Sequence, residues 1–218
     1  MDKRLETIAN MLPKGKIVAD IGSDHGYLPI FLMQKKWAKK VYACDNKQGP
    51  LNQAIEHIQK EGLEESIIPL LSDGFQKVPL DANCAVLAGM GYFTARDILL
   101  EAKERLSDFD YLLVQINQDV PKLRELISEE GWRILDEEIA YDNHKYYICI
   151  GFTSQKGPKL KEEEILLGPS LIDKKSLLFK EYCRYQWEKL DGTLKKQKDP
   201  IKQKETKQLM KSYEKYKK

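Results

Sequence analysis

From Lys16 onward, short apolar blocks alternate with amphipathic stretches of helical length. The blocks fall at residues 17–19, 41–44, 67–71, 84–88 and 111–116. They are mostly continuous rather than alternating, as expected for strands covered on both faces. Residues 28–37, 51–62 and 95–106 read as the intervening helices. Pro50 stands at a first helical position and Gly62 at a stop, and Ile98, Leu99, Ala102 and Leu106 keep helical spacing. This alternation predicts an α/β fold: a Rossmann-like, doubly wound, mostly parallel sheet. Residues 132–141 and 145–152 are β-rich and flank the turn cluster Asp142-Asn143-His144, predicting a C-terminal antiparallel hairpin.

Beyond Gly157-Pro158 the pattern changes. Ile172, Ser176, Phe179, Cys183, Trp187, Leu190 and Leu194 recur as one stripe of a long helix, which Asp199-Pro200 should break. Leu209, Tyr213 and Tyr216 form a second, shorter stripe, so an antiparallel helical hairpin is expected. The sequence therefore divides into a ligand-binding domain, residues 1–155, and a helical extension, residues 156–218.

Charge follows the same division. Residues 156–218 hold 18 Lys/Arg against 10 Asp/Glu, whereas the first 155 hold 18 against 24, so a net charge of +2 conceals an acidic body and a basic tail. Such a tail suits a polyanionic partner, with a solvated lysine-rich helical pair as the plainer alternative. No apolar run approaches the ~20 residues of a membrane span. No apolar stretch follows the charged start from Met1 to Glu6, so no signal peptide is read. Cys44, Cys84, Cys149 and Cys183 are widely separated, which favours reduced, buried thiols over disulfides or zinc. His57 on a polar helix and His144 in a turn belong to no ligand cluster, so no metal is expected. The expectation is a soluble cytoplasmic protein without a membrane partner.

The chemistry concentrates at the strand ends. The first predicted strand runs into Asp20-Ile21-Gly22-Ser23-Asp24-His25-Gly26-Tyr27-Leu28, where doubly wound folds bind nucleotides. Gly22 and Gly26 permit a sharp turn, yet the loop is neither G-x-G-x-x-G nor a phosphate cradle. Asp20 and Asp24 would repel a pyrophosphate but attract a sulfonium and an α-ammonium, so S-adenosylmethionine is favoured over NAD or ATP. Asp45, followed by Asn46, closes the second strand, where an acid can accept ribose hydroxyls. Asp73-Gly74 ends the third, placed for an adenine amino group. Ala88-Gly89-Met90-Gly91 ends the fourth, letting backbone approach the ligand. Ser23, His25 and Leu28 complete the expected cofactor set. For Asp24 a helix N-cap, and for His25 a loop-orienting role, are the structural alternatives.

The run Asp20-Ile21-Gly22-Ser23-Asp24-His25-Gly26-Tyr27-Leu28-Pro29 leads a longer series: Gly49-Pro50, Ala88-Gly89-Met90-Gly91, Gln115-Ile116-Asn117 and Leu167-Gly168-Pro169. Together these resemble the bacterial tRNA (adenine-22-N1)-methyltransferases, the TrmK family, over nearly the whole chain. The resemblance implies a class I methyltransferase domain with a coiled-coil-like C-terminal extension. It also implies S-adenosyl-L-methionine as donor, S-adenosyl-L-homocysteine as product, and N1 of an adenine in the tRNA D-arm region as acceptor. Two positions depart from the family pattern: Tyr92 where a second glycine is usual, and Ile116 where proline is usual.

Adenine N1 carries an in-plane lone pair, so direct in-line displacement on an extruded base needs positioning rather than a protein nucleophile. Tyr27 and Tyr92 are expected to stack on that base, and the Asn117 carbonyl to accept from its amino group. Asp24 is expected to stabilise the developing ring charge or take a proton. The basic tail is expected to hold tRNA phosphates. The alternatives are a methyltransferase acting on another RNA site and a non-catalytic RNA-binding protein that keeps the fold.

Overall fold

The computed structural model describes residues 2–218. The chain divides into two compact units, Met1–Lys159 and Leu160–Lys218. The first opens with a helix outside the predicted elements, α1 (Lys3–Met11), N-capped by the Asp2 side chain, which accepts from Arg4 N. The series β1 (Lys16–Ile21), α2 (Tyr27–Gln34), β2 (Ala38–Asp45), α3 (Gln48–Lys60), β3 (Ile67–Leu71) follows. Then come β4 (Cys84–Met90), α4 (Tyr92–Glu101), a 3-10 turn (Lys103–Asp108), β5 (Tyr111–Ile116), α5 (Val120–Glu129), β6 (Trp132–Asp142) and β7 (Lys145–Lys156). The seven strands run in the order β3-β2-β1-β4-β5-β7-β6. All neighbours are parallel up to β5, and β7 and β6 close the sheet antiparallel.

The continuous apolar blocks of β1, β2, β4 and β5 have the reason expected, whereas β3, at the sheet edge, is buried only at Ile67. β5 is buried at every residue, and one cluster joins Ile8 of α1, Leu28 and Leu32 of α2, and Ala54 and Ile58 of α3 to Val18, Val41, Val86 and Leu113 of the sheet. The strand order reverses direction between β1 and β4, which sends successive right-handed crossovers to opposite faces and opens a crevice there. Two helical expectations shift. α4 begins at Tyr92, three residues before the predicted start, and the chain tightens into 3-10 geometry after Ala102. α5, unannounced, carries Arg124, whose Nε lies 2.7 Å from Glu137 Oε1 of β6 with both side chains fully buried.

The second unit contains α6 (Glu162–Leu167), α7 (Pro169–Lys174), α8 (Leu177–Leu194) and α9 (Pro200–Glu214). The predicted long stripe is interrupted at its start. Ile172 lies on α7, Lys175 turns left-handed at φ 47°, and Ser176 caps α8 by accepting from Phe179 N at 3.2 Å. α8 and α9 pack on each other, with Phe179 against Tyr216 and Tyr182 against Tyr213. Leu209 faces outward, and Thr206 and Tyr213 form the buried stripe of α9 instead.

All four cysteines are free and buried, and burial pushes the thiols of Cys44, Cys149 and Cys183 up to about 12. No helix among the described residues is long and apolar enough to cross a membrane. Among the same residues no group of three or more His, Cys, Asp or Glu could hold a metal ion.

Candidate functional site

The C-terminal ends of β1, β2, β3 and β4 meet in a cleft of about 480 Å³ at the crevice between β1 and β4. The turn after β1 is fixed by backbone. Gly22 N and Ser23 N both donate to Cys44 O at 2.8 Å, and Gly22, Asp24 and Gly26 all take positive φ. Gly26 also lies so close to α3 that an added Cβ would stand 3.3 Å from Ala54 Cβ, in a conformation side chains rarely adopt.

Asp20, Gly22, Ser23, Asp24, His25, Tyr27, Leu28, Asp45, Asn46, Asp73, Gly74, Ala88, Gly89 and Met90 line this cleft. Asp20 is nearly fully buried, and its carboxyl is raised to about 7. Desolvation is the main cause, with the Asp45 charge adding and the Ser23 hydroxyl opposing. The buried Ser23 Oγ interacts with the Asp20 carboxyl but has no partner within ordinary hydrogen-bond distance. Asp45 accepts from Asp24 N at 3.1 Å and Lys47 N at 2.9 Å, one bond on each oxygen, so each oxygen keeps a lone pair. Asn46 Nδ2 reaches toward Asp73 Oδ1 at 3.5 Å.

Asp24 does not cap α2. Gly26 occupies that position, and the Asp24 side chain is largely exposed, 3.4 Å from His25 Nε2. Tyr27 is 56% exposed and stacks on His57, whose ring nitrogen Nδ1 lies 2.9 Å from His25 O.

Four expected residues stand elsewhere. Gly26 faces α3 rather than the cleft, and Gly91 is the N-cap of α4 at its rim. Tyr92, drawn into the first turn of α4, packs edge-on against Phe93 at 5.3 Å beneath Lys122 of α5. Asn117 turns back onto its own strand ends: Nδ2 donates to Gly89 O at 2.7 Å, while Oδ1 faces Gln115 Nε2 at 3.5 Å.

Two residues were missed. Gln115 is fully buried, and its Oε1 accepts from Gly89 N at 3.1 Å and from Arg4 Nη1 at 3.2 Å. Gly89 therefore turns at φ +79° under two side chains, and an added Cβ would lie 3.1 Å from Arg4 Nη1. The i, i+2 spacing of Gln115 and Asn117 on one strand face was a usable signal. Arg4 had only the unread α1 to announce it. Four carboxylates against Arg4 and Lys47 suit a ligand bearing positive charge, hydroxyls and an amino group.

The methyltransferase-domain family model matches residues 1–150. The tRNA (adenine(22)-N(1))-methyltransferase of Bacillus subtilis is 29% identical over 187 residues, covering 82% of this chain and 78% of its own. Among solved structures, M. capricolum TrmK in complex with S-adenosyl-homocysteine superimposes with a TM-score of 0.84 at 30% identity, covering 99% of this chain and 97% of that one. Streptococcus pneumoniae Sp1610 in complex with S-adenosyl-L-methionine gives 0.89 at 27% identity over 100% of both chains.

Proposed function

The chain belongs to the methyltransferase-domain family, in its TrmK branch, and from that premise we propose that it transfers a methyl group from S-adenosyl-L-methionine to N1 of adenine-22 in tRNA. The observation that carries the reading is the convergence of Asp20, Asp24, Asp45 and Asp73 on one cleft at the strand ends. When bound, the cofactor supplies an electrophilic methyl on a positively charged sulfur.

The residues divide that work. Asp45 offers its free lone pairs to ribose hydroxyls, and Asp73 with Asn46 faces the adenine end. Asp20, Gly22, Ser23 and Ala88 hold the amino-acid end, where a carboxylate in a desolvated setting meets an ammonium. Gly89, Met90 and Gly91 bring backbone close to the reacting groups. His25 and Leu28 frame the turn that Gly26 closes.

Asp24, exposed at the mouth, stabilises positive charge as it develops on the ring or accepts the amino proton. Tyr27, also exposed, stacks on the extruded base. Asn117 acts on the target through the Gly89 turn that it bonds. Tyr92 with Phe93 stacks outside the cleft, against a flanking nucleotide.

We read the extension as a coiled-coil-like pair whose exposed lysines on α9, including Lys202, Lys204, Lys207 and Lys211, meet phosphates of the D-arm region. The reaction belongs to the cytoplasm and needs no metal.

The test is labelled methyl transfer to two tRNA transcripts that differ only in A or G at position 22. Label in the A transcript alone is the expected result. Label in both moves the acceptor to another RNA site. Label in neither, with S-adenosyl-L-methionine bound, makes the protein a non-catalytic RNA-binding module.

A further inference from the structure

His57 stands on α3 three residues after Ala54, on the same helix face, and both meet the turn between Asp24 and Tyr27. Ala54 meets it by close packing against Gly26. His57 meets it twice. Nδ1, carrying its hydrogen, donates to His25 O at 2.9 Å, and the ring stacks on Tyr27 with centroids 5.5 Å apart and planes 24° apart. The His25 ring completes the group, 5.4 Å from Tyr27 and 6.0 Å from His57, with Asp24 Oδ2 3.4 Å from its Nε2. An exposed tyrosine has many rotamers in solution, and one packed against two neighbouring rings has fewer.

We propose that His57 is a positioning residue for methyl transfer: it fixes the Tyr27 ring by stacking and the Asp24–Tyr27 turn by its bond to His25 O. This rests on the tRNA methyltransferase reading and names a side chain which that reading leaves unused. Its bonds go to the turn and to Tyr27, and His57 itself does not line the cofactor cleft. The turn it holds also lines the cleft, so its loss should register more strongly on the base than on the cofactor.

The experiment is a double-mutant cycle of His57→Ala and Tyr27→Ala, read as tRNA kinetics and as S-adenosyl-L-methionine affinity. Removing one ring stack and one neutral hydrogen bond corresponds to a fall in kcat/KM for tRNA of roughly tenfold. Cofactor affinity should stay within about twofold, and His57→Phe should recover the part due to stacking. In the Tyr27→Ala background, His57→Ala should cost less than it does alone, because the stack is already gone and only the bond to His25 O remains to be lost. Wild-type kinetics for His57→Ala overturn the inference, as does full additivity in the cycle or an equal loss of cofactor affinity. No label with the wild-type chain sinks the proposed function and this inference together.

Discussion

The cleft at the ends of β1 to β4 and the α8–α9 pair both carry dense charge, and they hold it in opposite ways. In the cleft, two carboxylates are held in place: Asp45 accepts two amide hydrogens, and Asp20 is buried deeply enough that its proton affinity changes. On α9 the lysines point into solvent from a helix whose buried stripe is only Thr206 and Tyr213, with Tyr216 just beyond it. A fixed charge can recognise one atom of a ligand, whereas a mobile one recognises a field. Fixed carboxylates suit chemistry, and solvated lysines suit salt-dependent binding.

The strongest way to break this contrast is through the most buried charge pair. Arg124→Ala leaves Glu137 uncompensated and should cost about 3–5 kcal/mol in denaturant unfolding. A loss below about 1 kcal/mol, no more than an exposed pair contributes, would show that burial does not fix this charge pair. Next comes Asp24→Ala, for which turnover should fall at least ~100-fold while the protein stays folded. Full turnover in that variant ends its catalytic assignment.

Asp20 sharpens the contrast through pH. Its folded pKa of about 7 lies above the ordinary carboxylate value, so the folded state keeps a proton that the unfolded chain has lost. Stability should therefore decline as pH rises from about 4 to 7 and level off above, and Asp20→Asn should remove that slope. A cationic ligand favours the ionised form, so S-adenosyl-L-methionine affinity should rise by up to about tenfold per pH unit up to about pH 7. A flat affinity profile would exclude contact between Asp20 and the cationic end.

The basic pair gives the smaller effects. Changing Lys202, Lys204, Lys207 and Lys211 together to Gln should lower the salt slope of tRNA binding by roughly one for each phosphate no longer neutralised, with cofactor affinity unchanged. An unchanged slope would remove α9 from the interface. Smallest is Lys195→Gln, which breaks an exposed i, i+4 pair with Asp191 and should move stability by under about 0.5 kcal/mol.

The sheet was legible because strands covered on both faces are continuously apolar, and the strand ends were legible because Asp and Gly fall where those blocks stop. The failures have local causes. α1 is short, but Asp2 as a cap and Leu5, Ile8 and Leu12 at helical spacing were there to be read. Ser176 was counted into a stripe although serine is a better cap than a helix body residue. Tyr92 could not be placed, because its approach to Lys122 depends on how α4 meets α5, a relation that local pattern does not contain. His57 looked idle for the same reason: its partners lie 30 residues or more away in sequence.

The cysteines give the two regions separate clocks. Cys44, Cys84 and Cys149 belong to the sheet and Cys183 to α8, and none is open to solvent in the folded chain. A thiol reagent can react only when the surrounding structure opens, so the labelling rate at each sulfur counts openings of its own neighbourhood. Followed by mass during exposure to tRNA or cofactor, four natural probes would report which region each ligand quiets, with no residue changed.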